Sequence, residues 1–203
     1  MSDYYMDRDK YAKVYGVVSY LWGESKKNSV NTRKKTSRYE ELYDKGNLWA
    51  MKGKKLDEAI EIIECDGKSM PLKNNNSFKR GFFAYIRSNP SDLASKGFLM
   101  ADLPNELVDD EKFMDKYNKG VYRYGFRFGK NKKTTEQLPI GFKDDDKFIN
   151  GYFEGLGYAL GYDGVRIENL EDANLVKFKS FLIGYRNGID DKAKLDENNK
   201  KKK

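Results

Sequence analysis

Lys119, Arg123, Arg127, Lys130, Lys132 and Lys133 are interleaved with Tyr122, Tyr124 and Phe126 in one short stretch. Cations alternating with rings are the equipment of single-stranded nucleic-acid binders: charge holds the backbone and stacking holds the bases. A second set, Lys26, Lys27, Arg33, Lys34, Lys35 and Arg38, spans a segment with no ring and no acid between residues 25 and 37. An exposed cationic arm of this kind gains affinity for phosphate by releasing counterions, and the same composition also suits a plain solvated loop.

Catalytic chemistry is poorly provided for. There is no histidine, which removes the commonest general base and the commonest metal ligand together. Cys65 is alone, has no imidazole to activate it, and reads as a small buried hydrophobe. Acids cluster at 109–111 and 144–146, where carboxylates could hold a hard cation. Both clusters precede helical patterns, and the helix dipole accounts for them without a metal. No phosphate-cradling Gly-x4-Gly-Lys-Ser/Thr loop is present. The chain is therefore expected to be no enzyme, with no cofactor and no metal site.

Glycine supplies the organising pattern. Gly-Tyr-x-x-Gly occurs at Gly151–Gly155, Gly157–Gly161 and Gly184–Gly188. A glycine inside a helix costs roughly 0.8–1 kcal/mol relative to alanine, so several together need a compensating gain. Close backbone approach is the simplest one, with Gly151, Tyr152 and Gly155, and Gly184, Tyr185 and Gly188, acting as helix-packing residues. The partner could be a helix of the same chain, another molecule or a nucleic-acid backbone. Aligning the glycines at 81, 120, 151 and 184 gives spacings of 39, 31 and 33 residues, the mark of a degenerate helical repeat.

The segment 116–160, a basic glycine-containing helix, a polar linker and Gly151-Tyr152-Phe153-Glu154-Gly155, resembles the helix pair of bacterial ribosome modulation factor. That resemblance implies a small basic ribosome-binding protein. Glu154 and the acids at 144–146 depart from the basic character the family would show there.

The positioning elements follow from periodicity. Tyr11, Val14, Tyr15, Val18, Leu21 and Trp22 predict an amphipathic helix over 7–24. Ser37 and Glu40 form a capping-box pattern for a helix through about Ala50. Leu56, Ala59, Ile60 and Ile63 predict a helix to Glu64, with a strand turning at Asp66-Gly67 as its rival. Ser77 is the expected cap of a helix over 78–87, and Pro90 restarts the chain toward a stop at Gly97. Phe113, Tyr117, Val121, Tyr124 and Phe128 fall on one helical face. The run 122–128 also alternates with period 2, like the aromatic-basic strand of an RNA-recognition motif, but no βαββαβ layout accompanies it. In the helical reading Tyr117, Tyr124 and Phe128 point inward, leaving Arg123 and Arg127 to bind phosphate. Acids at 144–146 open a helix to about Gly161, and Asn169 is the expected cap of the last one.

The fold class expected is mainly α: six to eight short helices with glycine- and aromatic-mediated packing. The expected organisation is an N-terminal helical region, 1–70, with its basic loop at 25–37, then a glycine-aromatic region, 71–190, and a disordered basic tail, 191–203. Charged residues make up 35% of the 203 and aromatic ones 14%, with a net charge of +7. A core must then be built largely from Tyr and Phe. One cysteine and no signal-length or membrane-length apolar run point to a reducing, cytoplasmic setting without a membrane partner. The expected partner is RNA or a ribonucleoprotein such as the ribosome. The alternative is an inhibitor or adaptor of the kind viruses and mobile elements encode, presenting a basic face to an acidic surface of a host protein.

Overall fold

The computed structural model describes residues 37–201. The expected helix over 7–24, and Lys26, Lys27, Arg33, Lys34 and Lys35 of the basic arm, lie outside the described residues. Within them the protein is mainly helical, with six α-helices, short 3-10 turns and a single two-stranded sheet.

Helix α1 (Arg38–Met51) starts where its capping box directs, Ser37 and Glu40 each satisfying the other's backbone N–H. The helix expected over 56–64 is absent. An antiparallel hairpin replaces it, β1 (Ile62–Cys65) and β2 (Lys68–Pro71), in the register Ile62↔Pro71 and Cys65↔Lys68. The two-residue turn decides the matter: Asp66 and Gly67 both take positive φ, 52° and 71°, as a tight hairpin of matching twist requires. Of the apolar stripe that suggested a helix, Ala59 is buried and Leu56 and Ile63 pack against the same cluster, while Ile60 stays 69% exposed.

Helix α2 (Asn76–Ser88) is capped by Asn75, not Ser77. The buried Asn75 side chain accepts from Phe78 N–H at 3.1 Å. It breaks at Asn89-Pro90 into 3-10 turns that end at left-handed Gly97, because proline offers no N–H to continue the ladder. After α3 (Asn105–Val108), α4 (Glu111–Lys130) and α5 (Asp146–Tyr162) are capped by Asp110 and Asp145. Helix α6 (Lys179–Lys200) begins well after Asn169, which closes a 3-10 turn instead of capping a helix. It also continues through residues expected to be disordered. Lys192–Asp196 and Asp191–Lys194 pairs at helical spacing, 3.8 and 3.2 Å, accompany that solvated extension. The division expected at residue 70 runs through packed structure: Leu42 of α1, Cys65, Leu72 and Phe78 share one buried cluster.

A repeat is present, in a different register from the one the glycines suggest. Four helices begin with a buried phenylalanine three residues after the capping position: Phe78, Phe113, Phe148 and Phe181. The spacings are 35, 35 and 33. Four residues further on stand Phe82, Tyr117, Tyr152 and Tyr185. The three tyrosines donate to the carbonyls of Phe98, Lys133 and Val165 at 3.0, 2.7 and 2.6 Å, each just past a residue of positive φ (Gly97, Lys132 or Gly164). Gly81, Gly151 and Gly184 hold one repeat position, and the second repeat has Lys116 there. Gly120 is thus the counterpart of Gly155 and Gly188. It lies against the Ser91 turn.

The glycines meet backbone. A Cβ on Gly125 or Gly129 of α4 would fall within 3.0 Å of the Phe148 or Tyr152 carbonyl of α5, and Gly151 and Gly155 of α5 meet Tyr122 and Phe126 of α4 in return. The α5–α6 pair repeats this reciprocity, with Gly157 and Gly161 against Phe181 and Tyr185, and Gly184 and Gly188 against Glu154 and Tyr158. Residue numbers rise together along both contacts, so α4, α5 and α6 run parallel. Each pair is joined by a crossover that carries only 3-10 turns. Gly46 and Gly81 join α1 to α2 in the same way. The core lies on one side of α4 and α5, where Phe113, Tyr117, Val121, Phe148 and Tyr152 meet Leu138 and Phe142 of the crossover.

This packing makes the interface glycines intolerant of a single methyl group. Gly155→Ala and Gly157→Ala should each lower stability by roughly 1–3 kcal/mol or more through overpacking, read as a fall in the urea midpoint. Lys116→Ala, at the repeat position with no such contact, should change it by less than about 0.5 kcal/mol.

Candidate nucleic-acid interface

The basic stretch folds as α4, and its exposed face is longer than the sequence pattern suggested. Lys112, Lys116, Lys119, Arg123, Arg127 and Lys130 are all exposed, at steps of 4, 3, 4, 4 and 3. Those steps keep all six within a stripe about 80° wide, flanking the buried face of Phe113, Tyr117 and Val121, over a length of about 27 Å. Lys112 and Lys116 were not singled out in the sequence because they lie among acids, Glu111 and Asp115, ahead of the denser basic stretch. Their helical spacing from Arg123 was the available signal.

The other expected residues sort by what they touch. Arg123 and Arg127 make no ion pair among the described residues. Lys119 pairs with Asp115 at 2.7 Å on the exposed helix, a contact worth only a few tenths of a kcal/mol. Lys130 sits 4.7 Å from the centre of the Tyr158 ring. Lys132 turns away from the stripe to pair with Asp163, and Lys133 is exposed beyond the helix end. Arg38 lies on α1, where its guanidinium donates to the Glu64 carbonyl of the hairpin. The structure thus gathers Lys119, Arg123, Arg127 and Lys130 and leaves Arg38 on a different element.

The rings between the cations are not presented to solvent as a stacking surface. Tyr124 meets Phe128, Phe142 and Phe148 edge-on at 5.1–5.7 Å. Tyr122 and Phe126 are half-buried against α5: the Tyr122 hydroxyl donates to Glu154, and Phe126 lies 5.9 Å from Tyr158. Glu154, the acid that departs from a basic α5, is thereby engaged beside the stripe. What α4 offers outward is charge in a line, without base-reading rings.

Among the described residues no three Cys, Asp or Glu side chains gather as a metal site. Asp110 and Asp145, the central acids of their clusters, accept from backbone N–H groups of α4 and α5. Cys65 is buried in β1. No described helix is long and apolar enough to cross a membrane.

Tyrosines packed into the α4–α5 region are the groups whose titration the fold shifts. Burial pushes the Tyr117 hydroxyl up, with Asp145 and Asp102 adding to it. Burial, and then the Glu154 carboxylate, do the same to Tyr122, and burial alone raises Tyr152. A folded-state value above the ordinary 10.0 means that the unfolded chain loses these protons first. Stability should therefore hold through pH 9 and fall as pH rises past about 10. Urea midpoints measured against pH check this: Tyr117→Phe should cost about 1 kcal/mol at pH 7 by losing its bond to Phe98, and should flatten the alkaline decline.

In comparisons with known proteins, no family model, no curated protein and no solved structure matches this chain.

Proposed function

We propose that the protein is a non-enzymatic binder of RNA or of a ribonucleoprotein surface such as the ribosome, held through the phosphate backbone by α4. The observation that carries this reading is the stripe of six exposed cations along one straight helix face. Phosphates along a strand or a groove edge present a matching line of charge. Contacts of this type position a protein without reading sequence, which agrees with the inward placement of Tyr124 and the engagement of Tyr122. The glycines contribute only indirectly, by fixing α4 against α5 with its charged side outward.

The same engagement of the rings favours a second reading, an inhibitor or adaptor whose basic stripe meets an acidic protein surface. Charge alone serves either partner. The two differ in salt response, because counterion release from nucleic acid is steep and a packed protein interface with an apolar centre depends on salt less.

The experiment is RNA binding by fluorescence anisotropy at several salt concentrations, with Arg123→Glu/Arg127→Glu as the variant. Wild type should lose affinity by orders of magnitude between roughly 50 and 200 mM salt. The double variant should bind at least about tenfold more weakly and show a slope shallower by roughly 1–2. Sedimentation of the protein from native lysate, with and without RNase, places the partner. A complex that survives RNase and carries a discrete protein would establish the second reading against the first.

A further inference from the structure

The arrangement that α4 lacks, cations around a ring that borders a cleft, is found on α2, where Phe83 is half-buried against the core. Arg80, Phe83 and Arg87 lie on one helix face with Lys79 beside them, at steps of 3 and 4. Lys79, Phe83 and Pro104 line two neighbouring cavities, of about 560 and 810 Å³, which therefore adjoin as one cleft. Lys73 lines the first cavity, and Arg80 and Arg87 line the second. None of these four cations makes an ion pair among the described residues, and Lys79 is half-buried. The acids of the cleft are Asp57, Glu106 and Asp102, the last tied to Lys55.

The repeat shows what the Phe83 position is suited to hold. Its counterpart two repeats on is Phe153, which follows Tyr152 as Phe83 follows Phe82. Phe153 is covered by a stacked ring, that of Phe178, with centroids 3.8 Å apart and planes inclined by 16°. Phe178 occupies the capping position of α6. At the matching position before α4 stands Asp110, which has no ring to supply and whose carboxylate is committed to Lys112 and Phe113 N–H. Phe83 meets Phe82 edge-on at 5.3 Å and opens on the cleft.

We infer that this cleft takes an unpaired nucleotide of single-stranded RNA, its base stacked on Phe83 and its flanking phosphates held by Lys79, Arg80 and Arg87. The inference rests on the RNA-binding reading and deepens it: α4 engages backbone of any form, and α2 selects strands whose bases are free. A base in a duplex is already stacked on both faces and has no face to give to Phe83.

The test compares anisotropy titrations with a labelled unstructured RNA 12-mer and a duplex of the same length. Phe83→Leu keeps an apolar side chain in place and removes the aromatic face. It should weaken single-strand binding by roughly 5- to 100-fold, the usual range for losing one stacked base, and leave duplex binding unchanged. Phe83→Tyr should restore the single-strand affinity. Arg80→Glu/Arg87→Glu, at exposed positions that folding does not need, should weaken the single strand more than the duplex. Wild-type single-strand affinity in either Phe83→Leu or the double charge variant overturns the inference. Binding of duplex alone overturns it while leaving the α4 reading standing, and binding of neither RNA overturns both.

Discussion

The contact on which the molecule depends is the approach of a glycine Cα to a carbonyl oxygen on the neighbouring helix. Parallel helices joined by crossovers need partners that fit along their whole length. Here the fit comes from removing side chains at two positions per face, so that backbone lies on backbone. Helix α5 does this on two faces at once, with Gly151 and Gly155 toward α4, and Gly157 and Gly161 toward α6. Each glycine carries its cost in helix propensity, offset by dispersion contacts over a long, close seam. The tyrosine that follows the first glycine completes the unit by anchoring its ring and hydroxyl on the preceding crossover.

This packing leaves α4 with a fixed division of labour. One side faces the core, one faces α5, and the remaining side can hold whatever the solvent tolerates. Six cations stand there. On α6 the positions that match Gly157 and Gly161 carry Asp190 and Lys194, both exposed.

Much of this was legible in the sequence, and the failures have physical causes. Helix α4 and its inward face of Phe113, Tyr117 and Val121 were readable because a 3.6-residue period is sustained over five turns. The repeat was visible as recurring glycines but misaligned, because an exposed Lys116 replaces the glycine where the preceding helix has broken at Asn89-Pro90. The buried phenylalanine at the third position past each cap is the steadier marker. The hairpin at 62–71 lost to a helix in the sequence reading because four apolar residues matched a helical stripe, while a two-residue Asp-Gly turn settled it otherwise. The basic face was legible in part. Arg123 and Arg127 were found through their neighbouring rings, yet those rings turned out to be spent on packing, and the ring that borders a cleft, Phe83, sat in a segment noted for its helical pattern and its glycine.

The most direct measurement of the central claim is a backbone amide NMR titration of the protein with a short unstructured RNA. The account predicts that the shifted signals trace the outward stripe of α4 from Lys112 to Lys130, with the glycine seams of α5 and α6 undisturbed. Shifts that leave the stripe from Lys112 to Lys130 undisturbed, or no shifts at low salt, would contradict it.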